Sequence, residues 1–189
     1  MGLFNLFNKN NSRQQFNQLA INKKVDVQKI KKYINVPKSI ETRMLEIDSI
    51  VLNNEKDSET KTNELLKIYE SLTDDQKRTR AGRYIIVHIA EVYFAARMID
   101  EAFENFNFVM QFKDTIGNPF LHLRLGQLNY LTKNTDKMND ELSRALIMGG
   151  ESIFKDEDPK LIEMVKSVLE EPADCSWSEY EGQDWAVTK

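Results

Sequence analysis

Side chains able to do chemistry are few in this chain, and their spacing suits binding better than catalysis. There are two histidines, His88 and His122, and one cysteine, Cys175. No cysteine or carboxylate stands at metal-ligand spacing from either histidine, so each is read as a packed imidazole inside a helix. Cys175 has no neighbour in the sequence that would hold it as a thiolate, and no glycine-rich phosphate loop occurs. Glu157-Asp158 and Glu170-Glu171 are adjacent acids, which a helix points in different directions, so neither pair forms an acid/base couple. Arg78, Arg80 and Arg83 could hold a phosphate or a carboxylate-rich partner. Glu70, Asp74 and Asp75 could equally neutralise them, and that structural reading is preferred. Lys23, Lys24, Lys29, Lys31 and Lys32 make a basic segment. It lacks the interleaved aromatics and wide apolar face of a nucleic-acid or membrane binder, so a solvated face is expected. No catalytic residue, metal or cofactor is assigned, and the chain is read as a non-enzyme with neither nucleic acid nor membrane as partner.

The elements that would position these groups read as helices. Asn118 suits an N-cap and Pro119 the first helical position. Leu121, Leu125 and Leu128 share a face. Asn134-Thr135-Asp136 starts a second helix with Met138, Leu142, Ala145 and Leu146 as its stripe, and Gly149-Gly150 ends it. The same unit occurs upstream. Ile86, Ile89, Ala90, Tyr93, Ala102, Phe106 and Val109 stand 36 positions before His122, Leu125, Gly126, Asn129, Met138, Leu142 and Ala145. These offsets, with small residues where two helices touch and larger apolar ones a turn away, are those of a tetratricopeptide repeat. Asn129 and Met138 depart from the pattern, at an aromatic and a small position respectively.

Flanking helices complete an all-α domain of tetratricopeptide-like antiparallel hairpins. Ser12-x-x-Gln15 has capping-box spacing, and Phe16, Leu19 and Ala20 follow, with Val27, Ile30 and Ile34 extending the same helix. Ile40, Met44, Leu45, Ile47, Ile50 and Val51 give a helical stripe over residues 39–52. A polar loop over 53–60 precedes a helix carrying Leu65, Leu66, Ile68, Tyr69 and Leu72. Thr73-x-x-Gln76 repeats the capping box. Asp158-Pro159 starts a C-terminal capping helix, which Pro172 stops. The expected organisation is a mobile tail over residues 1–11 and a single helical domain over 12–172, with hairpins at 83–116 and 119–152. An acidic, aromatic tail covers 173–189.

Charge is uneven. Residues 151–189 hold 11 acids and 4 bases, whereas residues 1–150 hold 19 acids and 22 bases. An acidic end can solubilise the chain or steer a basic partner. No apolar run reaches the roughly 20 residues of a membrane span, and Met1-Gly2-Leu3-Phe4-Asn5-Leu6-Phe7 lacks the features of a secretion signal or of a complete myristoylation motif. A lone cysteine requires no oxidising compartment. The cytoplasm is the expected location.

A helical-repeat domain grips proteins along the face lined by the first helix of each pair. In the tetratricopeptide pattern that face falls on Tyr84, Val87, Glu91, Phe94 and Ala95, then on Phe120, Leu123, Gln127, Tyr130 and Leu131. The competing reading is that the N-terminal helices bury these aromatics. Trp177, Glu179, Glu181, Asp184 and Trp185 form a second candidate surface, an arm that either folds back or meets the partner.

Gly117-Asn118-Pro119-Phe120-x-His122-Leu123-Arg124-Leu125-Gly126-Gln127, Glu141-Leu142-x-Arg144-Ala145 and Gly150-Glu151-x-Ile153-Phe154-x-x-Glu157-Asp158-Pro159-Lys160 carry a more specific likeness. With the opening Met-Gly-Leu-Phe, they resemble a family of small bacterial tetratricopeptide-like proteins encoded beside polymorphic toxins, including Rhs and type VI secretion effectors. Asn129 and Lys133 stand where that family usually has an aromatic and a glycine. The resemblance implies an immunity protein that covers the active site of a cognate toxin domain, ADP-ribosyltransferase domains among them, and a monomer is expected before complex formation. The alternative is a tetratricopeptide-type adaptor or chaperone that holds a peptide in the concave groove.

Overall fold

The computed structural model describes residues 24–34 and 38–170, and its regular elements are all helical. They are α1 (Val27–Tyr33), α2 (Met44–Leu52), α3 (Ser58–Glu70), α4 (Asp74–Lys77), α5 (Arg80–Ala95), α6 (Ile99–Met110), α7 (Pro119–Leu131), α8 (Thr135–Gly149) and α9 (Pro159–Val168). Short 3₁₀ turns occupy Lys38–Arg43, Lys113–Thr115 and Glu151–Phe154.

The 36-residue register extends to the backbone hydrogen bonds. After α5, the Met98 N–H donates to Tyr93 O at 2.9 Å and the Arg97 N–H to Phe94 O at 3.1 Å. After α7, the equivalent bonds run from Asn134 to Asn129 at 2.9 Å and from Lys133 to Tyr130 at 3.0 Å. Both turns use the paired bonds that close a helix through one left-handed residue. That residue is Arg97 (φ 63°) in the first hairpin and Lys133 (φ 60°) in the second. A side chain in this conformation costs roughly 1–2 kcal/mol relative to glycine, so the turn survives without the glycine the pattern favours.

The seam of the second hairpin depends on Gly126. A Cβ placed there would lie 2.5 Å from Leu142 Cδ2 and 2.6 Å from its Cγ, so only a hydrogen lets α7 and α8 approach this closely. Asn129 is buried in the aromatic position because its amide donates to Leu125 O at 2.8 Å within its own helix.

Caps set several helix starts. Asn118 Oδ1 accepts from the Phe120 and Leu121 N–H groups, Asp158 from Lys160 and Asp57 from Thr60. The Thr73–Gln76 capping box closes in both directions. α7 is buried from Pro119 to Asn129 and α5 from Ala81 to Val92. Helices buried all round need cover on every side: α5 packs on α6 and α3, and α7 on α8, α6 and α1.

Four local expectations change. Asp26 caps α1 by accepting from the Lys29 N–H at 2.9 Å, so Val27 opens a helix of its own. The stripe over 39–52 splits into a 3₁₀ turn and α2, and Leu45 faces outward with 82% of its surface exposed. The polar loop ends early, because Asp57 starts α3 at Ser58. α9 ends at Val168, before Pro172, where Leu169 turns extended.

Candidate binding groove

The groove assigned to a partner is closed by the chain itself. Tyr84, Val87, Glu91, Phe94, Phe120, Leu123 and Gln127 are all buried, which corrects the assignment of Tyr84, Glu91, Phe94, Phe120 and Gln127 as an accessible binding face. Tyr130, Leu131 and Ala95 remain half-buried. Tyr130 and Leu131 line an open cleft of about 420 Å³ with Asn129, Lys133, Thr135, Met138 and Met164. The remaining candidates, Trp177, Glu179, Glu181, Asp184 and Trp185, lie outside the described residues, as do Cys175 and the tails over 1–11 and 173–189.

A buried ionic network occupies this face. Arg124, 2% exposed, reaches Glu91 through Nε–Oε1 at 2.6 Å and Nη2–Oε2 at 3.2 Å. Its Nη1 donates to Gln127 Oε1 and to Glu157 Oε1, both at 2.9 Å. Gln127 Nε2 donates to Glu157 Oε2 at 2.8 Å, and Lys29 Nζ to Glu157 Oε1 at 2.6 Å. The Phe94 and Phe120 rings flank the Arg124 guanidinium at 5.0 Å each, where the negative faces of the rings favour a cation. The aromatics expected to anchor a partner therefore grip an arginine of the same chain. Glu157 comes from the connection before α9 and Lys29 from α1, so the network ties α1, α5, α7 and the C-terminal connection together.

Arg124 and Lys29 face the buried Glu91 and Glu157, with the less buried Asp26 4.0 Å from Lys29 Nζ, the condition under which buried charge is tolerated. Burial pushes the Glu157 carboxyl up, but Arg124 and Lys29 outweigh it and hold the group at about 2. Burial also opposes the Arg124 charge, and Glu91 and Glu157 more than restore it. The Glu91 carboxyl moves up, because burial costs more than the fork to Arg124 returns. Lys29 was expected on a solvated face. It is buried instead, because Glu157 supplies its counter-charge.

The histidines are buried as well, His122 bonded through both ring nitrogens and His88 through one. His88 is fully buried, and its Nδ1 donates to Tyr84 O at 2.8 Å. Burial lowers it to about 4, so it is neutral at physiological pH. His122 Nδ1 lies 2.6 Å from Glu141 Oε2 and its Nε2 lies 2.6 Å from Ile116 O. Among the described residues no group of three metal-ligating side chains comes together. Arg83 reaches Asp114 and Arg78 O, and Arg80 lies 3.5 Å from the same Asp114. The counter-ion thus comes from the connection between α6 and α7, not from Glu70, Asp74 or Asp75.

Sequence reasoning passed over Arg124 and Lys29 as site residues. The available signal was a charge inside an apolar run, Leu123-Arg124-Leu125 and Ile89-Ala90-Glu91-Val92, which demands a buried counter-charge. No helix of the described residues is long and apolar enough to cross a membrane. Compared with protein-family models, with curated proteins and with solved structures, the chain has no match.

Proposed function

We propose that this protein is an immunity protein, which binds a cognate bacterial toxin domain in the cytoplasm and silences it by covering the active site, without turnover of its own. The supporting observation is the use made of the residues that carry the resemblance. Asn118 caps α7 and donates to Tyr33 O at 2.7 Å. His122 meets Glu141, Arg124 and Gln127 meet Glu157, Gly126 admits Leu142, and Asp158 starts α9. These residues support one another, so the likeness is a likeness of scaffold. A rigid body that holds its own charges internally loses little entropy on association, as suits an inhibitor that must cover a standard interface of roughly 1,600 Å².

The closed groove weighs against the adaptor reading, because a peptide would have to displace α1 and Lys29. Candidate toxins include ADP-ribosyltransferase domains, and the free protein is a monomer. The test is co-expression with the toxin domain encoded by the neighbouring gene, joined to a binding titration of the purified pair. Rescue of growth and a nanomolar or tighter complex are expected. Continued toxicity with no complex would refute the reading.

A further inference from the structure

With the groove filled, the outer face of α6 is the part of the first hairpin best suited to meet another protein. Phe106 is fully buried and Phe103 packs on the core, but Phe108 leaves 41% of its surface exposed. Its ring meets the half-buried Phe112 edge-on, with centroids 5.5 Å apart. The Arg83 guanidinium sits 4.8 Å from the centre of the Phe112 ring, and Asp114 holds that guanidinium in turn. The aromatic pair is therefore fixed before any partner arrives, which lowers the ordering cost of binding.

The exposed charge on α6 itself has one sign, while Arg80, Arg83 and Lys113 lie at the Phe112 end of the patch. Glu101, Glu104, Phe108 and Gln111 follow at intervals of three and four residues and share a helix face. Asp100, Glu101 and Glu104 are exposed and make no ion pair among the described residues. α6 carries three acids (Asp100, Glu101, Glu104) and no base, whereas Asp114 beyond it is taken up by Arg83 and Arg80. Asp100 and Glu101 also suit the positive end of α6, but Glu104 lies past the first turn, where that benefit has faded. The exposed Leu45 and Leu52 of α2 differ: they have no aromatic neighbour in that helix, and both Glu46 and Arg43 stand beside Leu45 in sequence.

We infer that the outer face of α6, with Phe108 and Phe112 as anchors and Glu101 and Glu104 beside them, docks a folded protein domain that offers an apolar pocket flanked by lysine or arginine on the side that meets those two glutamates. This rests on the protein-binding reading above and assigns the face that carries it. An exposed aromatic in a fixed setting brings a large apolar contact to an interface, and the acidic face of α6 speeds encounter with an oppositely charged surface.

The experiment titrates the full-length protein with the toxin domain encoded by its neighbouring gene, with folding of each variant checked by circular dichroism and thermal melting. Phe108→Ser should weaken binding by about 30-fold or more. Glu101→Lys with Glu104→Lys, both on exposed positions, should slow association by about tenfold at low salt and leave dissociation nearly unchanged. Leu45→Ser on α2 should bind as the unaltered protein does. Unaltered binding by both α6 variants, beside a wild type that binds, would overturn this face and leave the binding reading intact. A wild type that fails to bind would overturn both. Loss of folding in Phe108→Ser leaves the charge-reversal pair to decide.

Discussion

The burial of His88 has a consequence for stability that can be worked through. The imidazole is fully buried, donates from Nδ1 to Tyr84 O and packs at 4.4 Å from the Tyr84 ring. Burial lowers it from 6.5 to about 4, opposed by the Tyr84 hydrogen bond and by Asp48, while Lys31 adds to the lowering. A group whose folded-state value lies below its unfolded value contributes stability that is complete above the unfolded value. That stability is lost as the pH falls toward the folded value. The window for His88 therefore runs from 6.5 down to about 4. At about 1.4 kcal/mol for each tenfold, the full loss is about 3 kcal/mol, and most of it is gone by about pH 4.5. That is a sizeable share of the roughly 5–15 kcal/mol that holds a domain together. Urea unfolding at a series of pH values should show this slope in the wild type, and His88→Phe should flatten it. Because the chain has only two histidines, the ring-proton resonances can be assigned by difference. A His88 resonance that titrates near 6.5, or an unchanged slope in His88→Phe, would refute the reasoning.

Three further outcomes test the scaffold. Glu157 is held at about 2, so its contribution is complete above the ordinary carboxylate range and disappears as the pH falls from about 4.5 toward 2. At neutral pH Glu157→Gln should cost about 3 kcal/mol, because Lys29 and Arg124 stay buried with less counter-charge; adding Lys29→Met should recover most of it, measured by a double-mutant cycle in urea. Gly126→Ala should destabilise by about 1–3 kcal/mol through its clash with Leu142. Leu142→Ala in the same chain should make the glycine replacement nearly harmless, whereas additive costs would show that the two do not touch. Lys133→Gly should stabilise the protein by about 1 kcal/mol by relieving the left-handed backbone, seen as a higher melting temperature; a lower one would contradict that account.

The sequence by itself determined what depends on near neighbours. Asn118-Pro119 and Asp158-Pro159 announce their helices because a cap and an N1 proline act within three residues. The 36-residue register follows from side-chain size at helix crossings, and both turns keep it in their hydrogen bonds. Lys133 keeps the turn where a glycine is usual, since the two hydrogen bonds and the packed hairpin offset a modest backbone strain.

Only the tertiary structure decided which faces meet water. A helical stripe says that Leu45 can be buried, but not that α2 turns it outward. Nor does any local rule join Lys29 to Glu157, which stand 128 residues apart, or reveal that their meeting seals the groove over Phe94 and Phe120. Helical periodicity is a property of a few turns of chain. The pairing of buried charges belongs to the packed whole, and here that pairing takes Glu91, Gln127 and the rings of Phe94 and Phe120 out of water.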